Sequence, residues 1–127
     1  MASAVVLCID DQLPVLELRK SQLESVGFSV ATAHNAVEGI RLMDELPIVA
    51  VVLEYKSEGM DARAVAFHMR HKAPRLPIIV ISAFWDVAGQ AQEWADVFVL
   101  KSTPARELAD IIRRLLSCCR GRKSAAA

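Results

Sequence analysis

Short runs of apolar, largely β-branched residues recur along the chain and are separated by longer amphipathic segments. The clear runs cover residues 4–9, 48–53, 77–82 and 96–100, and a weaker one covers residues 28–32. Apolar residues occupy both alternating faces of these runs, as is typical of parallel strands that are covered on both sides. The pattern therefore predicts five buried strands of a parallel sheet.

The segments between the strands have the length and period of helices. In the last segment the apolar residues lie on one helix face: Leu108, Ile111, Ile112, Leu115 and Leu116. The first segment carries a similar stripe, Leu13, Leu16, Leu23 and Val26, and Gly27 follows where the helix should end. Asn35 is placed to cap the second helix, and the third is predicted over residues 60–71. The fourth, over residues 86–94, is interrupted by Gly89.

Strands and helices thus alternate five times, which predicts a (βα)5 fold. Right-handed crossovers and short connections make this a doubly wound, three-layer α/β sandwich around a five-stranded parallel sheet. A length of 127 residues fits one domain, which we place at residues 3–119. Residues 120–127 are small and basic and are predicted to form a flexible tail.

Composition narrows the class of protein. Fifteen basic and fifteen acidic residues give a formal net charge of zero, so neither nucleic acid nor a membrane surface is an expected partner. The apolar stretch at residues 76–85 is too short to span a bilayer. The N-terminus lacks the features of a secretory signal, and two of the three cysteines are adjacent. We therefore expect a reducing, cytoplasmic location.

Polar side chains follow four of the five predicted strands. Asp10 and Asp11 follow the first, Glu54 the third, Ser82 the fourth and Lys101 the fifth. Sites in open parallel sheets form outside the carboxyl ends of the strands, so these groups are expected to converge. Clustered carboxylates need a cation or a shared proton, and oxygen ligands of this kind suit Mg²⁺. A lysine and a hydroxyl beside them are suited to binding phosphoryl oxygens.

Four motifs carry a resemblance to a known family: VLCIDD, VVLEYKSEGMD, PIIVISA and DVFVLK, in that order. Over residues 5–116 the chain resembles the receiver domain of two-component response regulators. The resemblance implies a flavodoxin-like sheet with strand order 2-1-3-4-5. It also implies Mg²⁺ bound by Asp10, Asp11 and the backbone carbonyl of Lys56.

The same resemblance assigns the remaining roles. Ser82 is the hydroxyl that moves toward the phosphoryl group, Lys101 contacts a phosphoryl oxygen, and Phe98 is the aromatic residue whose rotamer reports the switch. The implied partners are a histidine kinase or a downstream effector. A homodimer through the face of the fourth helix, fifth strand and fifth helix is also implied, and the aromatic pair Phe84-Trp85 near that face suits an interface.

One departure from the family bears on function: Glu54 stands where the family has its aspartate phosphoacceptor. The extra methylene moves the carboxylate by about 1.5 Å. A displacement of ~1 Å can cost ~100-fold in a reaction that depends on positioning. Ser102 also replaces the proline that usually follows the lysine, which leaves the isomer of that peptide bond open.

We therefore expect a stand-alone pseudo-receiver that acts through protein contacts and is not an enzyme. Glu54 either imitates the phosphorylated acceptor, incompletely because it has one negative charge and two oxygens, or only prevents phosphorylation. Two alternatives stay open. One is a receiver that still accepts phosphate. The other is a small haloacid-dehalogenase-like phosphatase, although that family uses Asp-x-Asp and the pair here is adjacent.

Overall fold

The computed structural model of the chain describes residues 4–57 and 59–126, with the backbone alone for residue 57 and residues 119–126. Its strands are β1 Val5–Ile9, β2 Ser29–Ala33, β3 Ile48–Glu54, β4 Lys56–Ser57, β5 Met60–Asp61, β6 Ile78–Ser82 and β7 Val97–Leu100. Its helices are α1 Leu13–Ser25, α2 Ala36–Glu45, α3 Ala62–Lys72, α4 Ala88–Ala91 and α5 Ala105–Ala126.

Five of the strands form one parallel sheet in the order β2-β1-β3-β6-β7. Counted among themselves, these strands follow the order 2-1-3-4-5, so the predicted α/β, flavodoxin-like fold is confirmed. Strands β4 and β5 form a separate antiparallel hairpin between β3 and α3 that the hydrophobic pattern does not predict. Gly59 supplies the positive φ, 72°, of its turn.

The core lies in two layers, one on each face of the sheet. Alternate residues of β1 and β3 point to opposite faces, so each strand contributes to both layers. The first layer includes Leu7, Val51 and Leu53 under α2 and α3. The second includes Val6, Cys8 and Val52 with buried leucines of α1 and α5. Among the described helices, none combines the length and apolar character that a membrane span requires.

Several helix ends lie where the sequence places them. Asn35 accepts a hydrogen bond from the backbone N–H of Glu38 at 2.8 Å and caps α2. Gly27 follows α1 with a φ of 105°. Leu13 does not join the buried stripe, because it is the first residue of α1 and is exposed.

Three helices differ from their predicted bounds. Helix α3 begins at Ala62, two residues after its predicted start, because Met60 and Asp61 form β5. The fourth is a 3₁₀ turn at Trp85–Val87 followed by only four residues of α4, and Trp94, which the prediction included in this helix, is buried in the core. Helix α5 continues to Ala126, past residue 119 where the sequence places the domain boundary. That boundary and the flexibility of residues 120–127 stay predictions.

Arg70 on α3 fixes the segment between α4 and β7. Its guanidinium donates to the carbonyl of Trp94 at 2.9 Å and to Asp96 Oδ2 at 2.5 Å. The same Asp96 oxygen accepts a hydrogen bond from the backbone N–H of Ile78 at 2.8 Å. One arginine therefore ties α3 to the segment between α4 and β7 and, through Asp96, to the start of β6.

We expect Arg70→Ala to lower the free energy of unfolding by about 2 kcal/mol, because it leaves partly buried acceptors unpaired. Lys72→Ala is the matched control, since Lys72 makes an exposed ion pair with Asp44, and it should cost less than about 1 kcal/mol. Urea unfolding of both variants measures the difference. Equal losses would contradict this role of Arg70.

Candidate functional site

Four of the predicted site residues meet at the carboxyl edge of the sheet. Asp10 follows β1, Glu54 and Ser82 end β3 and β6, and Lys101 follows β7. Asp10 and Ser82 are fully buried, and Glu54 is 3% exposed. The parallel sheet delivers these polar groups to one place because every strand points the same way.

The ammonium of Lys101 connects the two buried carboxylates. Its Nζ lies 2.9 Å from Glu54 Oε2 and 3.1 Å from Asp10 Oδ2. Glu54 Oε1 accepts a hydrogen bond from the backbone N–H of Lys56 at 3.2 Å. Asp10 Oδ1 accepts one from the backbone N–H of Gln12 at 3.0 Å. Glu54 Oε1 is therefore held by a backbone hydrogen bond, and Oε2 is held by an ion pair with Lys101 and makes no hydrogen bond within the described residues.

Burial and charge pairing set the ionisation of this pair. Burial raises the pKa of Glu54, and the contacts with Lys101 oppose that rise only in part. For Lys101, burial alone lowers the pKa, but Glu54 and Asp10 outweigh it, so the pKa of the ammonium is raised. Lys101 therefore keeps its proton at neutral pH and remains a fixed positive charge in the site.

Ser82 and Phe98 lie where the resemblance places them. Ser82 Oγ accepts a hydrogen bond from the backbone N–H of Phe84 at 3.2 Å, and within the described residues it makes no hydrogen bond to Glu54. Phe98 is half-buried against the core, with the exposed Trp85 ring tilted across it at a centroid distance of 6.1 Å. The roles of Ser82 and Phe98 in a switch stay predictions.

Tyr55 links the site to α4. It directly follows Glu54, and its hydroxyl donates to Gln90 Oε1 at 2.8 Å. Its ring also stacks on that of Trp94, with the centroids 6.3 Å apart. The end of β3 is therefore in direct contact with the helix beside the predicted partner face.

Arg19 is a site residue that our sequence analysis missed. It lies on α1 with its side chain 8% exposed, and its Nη1 is 3.7 Å from Asp10 Oδ2. The signal is in the sequence, because Arg19 stands three residues after Leu16 and four before Leu23, at a core position of the stripe. A charge at such a position requires a buried partner, and the end of β1 supplies it.

The predicted magnesium ligands are only partly gathered. Asp11 is exposed, and Lys56 lies in the hairpin strand β4. In the parts of the chain that are described, no three Asp, Glu, His or Cys side chains are grouped to hold a metal. Carboxylate oxygens suit Mg²⁺, but Lys101 contacts both buried carboxylates and Arg19 approaches one of them. Two cations of the chain, Lys101 and Arg19, therefore already lie beside carboxylate oxygens that the ion would need.

Comparison with known families decides the classification. The family model for the response regulator receiver domain matches residues 6–113. The chain belongs to the response regulator receiver family.

Among curated relatives of this receiver domain, the probable transcriptional regulator ycf27 of Guillardia theta is 31% identical over 115 residues, covering 87% of the chain and 44% of the relative. The transcriptional regulatory protein GlrR of Escherichia coli is 29% identical over 80 residues, covering 63% of the chain and 18% of the relative. The chain thus spans less than half the length of these relatives.

Solved receiver structures share the fold. A response regulator receiver domain protein from Clostridium thermocellum superposes with a TM-score of 0.82 at 26% identity, covering 98% of the chain and 99% of that protein. A CheY-like receiver domain protein from Methanospirillum hungatei gives a TM-score of 0.85 at 19% identity, over 95% of the chain and 99% of that protein. The receiver fold therefore extends over nearly the whole chain.

The pairing of Glu54 with Lys101 predicts a pH dependence. Because the pKa of Lys101 is raised in the folded state above its ordinary 10.5, the unfolded chain loses this proton first. The pair's stabilisation is therefore fully present below pH 10.5 and is lost as the pH rises through the folded pKa.

We expect Glu54→Gln to weaken this alkaline loss, because it removes one of the two carboxylates that raise the pKa. Urea unfolding of the native sequence and of the variant, from neutral pH to beyond pH 10.5, gives the free energy of unfolding of each protein. The difference between the two pH dependences measures the effect of Glu54 on Lys101. Parallel stability curves would show that the contact has no influence on the ammonium.

Proposed function

We propose that this receiver domain is a pseudo-receiver that signals through protein contacts and is not phosphorylated in the ordinary way. The observation that carries the proposal is the engagement of both Glu54 oxygens, one by Lys101 and one by the backbone of Lys56. A carboxylate that attacks a phosphoryl donor needs one oxygen free and in line with the leaving group. Glu54 offers neither a free oxygen nor the length of an aspartate.

The contact with Lys101 favours partial imitation of the phosphorylated state over a merely disabled site. In the family resemblance Lys101 is the group that contacts a phosphoryl oxygen, and here it contacts a Glu54 oxygen directly. The hydroxyl of Ser82 is not drawn to Glu54 in the same way. Glu54 therefore reproduces the contact that a phosphoryl oxygen would make with Lys101, but not the contact that it would make with Ser82.

We propose further that this site binds Mg²⁺ only weakly. Lys101 and Arg19 are near the oxygens that the ion would need, and like charges repel. Asp10, Asp11 and the Lys56 carbonyl remain the ligands the ion would use. When bound, Mg²⁺ would supply charge neutralisation for a phosphoryl group.

The proposed partners are a histidine kinase or a downstream effector in the cytoplasm, and a second copy of the chain. Phe84 and Trp85 are 53% and 71% exposed and precede α4. Large exposed aromatic side chains are the usual anchors of protein interfaces. Lys56 lies over the Phe84 ring at 4.6 Å, so the surface adjoins the site itself. The phosphatase alternative loses its support, because the chain belongs to the receiver family.

The mass of the intact protein after incubation with acetyl phosphate and Mg²⁺ tests the proposal. We expect no phosphoryl adduct on the native sequence, because Glu54 is too long and is already paired. Glu54→Asp should gain the mass of one phosphoryl group, because the shorter side chain frees the space in front of Lys101.

Asp10→Asn combined with Glu54→Asp is the matched control and should lose that gain if the adduct forms at this site. A stable adduct on the native sequence would refute the pseudo-receiver. If neither the native sequence nor Glu54→Asp gains mass, a feature other than residue 54 prevents phosphorylation, and the explanation from Glu54 is wrong.

Trp85→Ala tests the aromatic surface. We expect weaker self-association by sedimentation analysis, because the substitution removes a ring that is 71% exposed. Val37→Ala is the control, since Val37 is 79% exposed on α2, which packs on β2 at the edge of the sheet opposite β7. Unchanged self-association of Trp85→Ala, or equal loss in both variants, would contradict a homodimer through this face.

A further inference from the structure

A cleft between α1 and α5 lies behind the candidate site. It encloses about 80 Å³ between the two helices and the ends of β6 and β7. One water needs roughly 10–15 Å³ by the same measure, so the cleft has room for a tetrahedral or planar oxyanion. Its polar lining consists of Arg19, Gln22, Lys101 and Thr103, and its apolar wall includes Leu18 and Leu108.

Arg19 is poorly satisfied by the rest of the chain. It is a buried guanidinium, and its Nη1 makes no hydrogen bond within the described residues. Its approach to Asp10, at 3.7 Å, is an ion pair longer than a hydrogen bond. A guanidinium carries five N–H donors, and a buried donor without an acceptor is costly. Nη1 itself is enclosed beside Asp10 Oδ2, which also lacks a hydrogen bond, and the Arg19 side chain lines the adjoining cleft, where a further acceptor fits.

The charges around the cleft indicate that it binds an anionic ligand. Two of its lining residues, Arg19 and Lys101, are cationic, and none is acidic. Asp10 lies beyond them, in contact with both cations but not in the lining. The Thr103 hydroxyl adds a neutral donor. Planar guanidinium groups match the oxygens of phosphate and carboxylate.

We propose that this cleft binds the phosphate or carboxylate group of a small molecule through Arg19, Lys101 and Thr103. The apolar wall accommodates a short carbon body beside that group. The ligand gives Arg19 the acceptors that it lacks and shares Lys101 with Asp10 and Glu54. Occupancy of the cleft therefore alters the charge balance at the acceptor position without any phosphorylation of Glu54.

Amide and Arg Nε NMR spectra of the full chain, titrated with inorganic phosphate and separately with butyrate, test the proposal. We expect saturable shifts in the Arg19 Nε–Hε signal and in the amides of α1 and residues 101–108. Sodium chloride at matched ionic strength should not produce them. Tighter binding of phosphate identifies a phosphate-bearing ligand, and tighter binding of butyrate identifies a carboxylate with an apolar body.

Variants locate the site. Arg19→Met should weaken binding by at least about tenfold, because one charge-assisted contact is worth that much. Thr103→Val should weaken it by a smaller factor and covers the case in which Arg19→Met does not fold. Arg41→Met is the matched control, since Arg41 is exposed on α2, and should bind as the native chain does.

Ser82→Ala separates the cleft from the acceptor position and should leave binding unchanged. The absence of saturable shifts, or shifts that chloride reproduces, would overturn the proposal. Binding that survives both Arg19→Met and Thr103→Val, or that Ser82→Ala abolishes, would also overturn it. None of these outcomes depends on whether Glu54 accepts a phosphoryl group, so the two proposals fail independently.

Discussion

The ammonium of Lys101 lies between two buried carboxylates, and the arrangement of the site follows from that contact. A parallel sheet delivers Asp10 and Glu54 to the same edge, where burial makes their repulsion costly. Lys101 reaches both from the end of β7, and its backbone N–H also donates to the Ser82 carbonyl at 2.8 Å. Lys101 therefore balances the charges of Asp10, after β1, and of Glu54, at the end of β3, and its backbone N–H joins the end of β7 to β6.

The length of Glu54 is the second constraint. An aspartate at the end of β3 would place its oxygens short of Lys101 and leave space in front of them. Glu54 crosses that space, and its carboxylate contacts the ammonium directly. The extra methylene thus brings the negative charge of this position against Lys101.

The sequence predicts the fold better than it predicts the site. The spacing of apolar residues shows which positions are buried, but not which distant side chains those positions bring together. Runs of β-branched residues locate all five strands of the main sheet, and the family motifs order them. Hairpin β4–β5 is too short to show a period, and the hydrogen bond of Arg70 with the Trp94 carbonyl joins residues that no local pattern relates. Convergence of Asp10, Glu54 and Lys101 follows from topology alone. The pairing of Arg19 with Asp10 does not, because it depends on how α1 rotates over the sheet.

The stacking of Tyr55 on Trp94 gives the molecule an intrinsic optical probe. Trp94 is 9% exposed, whereas Trp85 is 71% exposed, so the two indoles emit from environments of different polarity. Tyr55 is covalently next to Glu54, and its ring lies on the buried indole. A shift of the backbone at the end of β3 would therefore move the Tyr55 ring against Trp94. The emission of this buried indole is thus expected to respond to the state of the site without an added label.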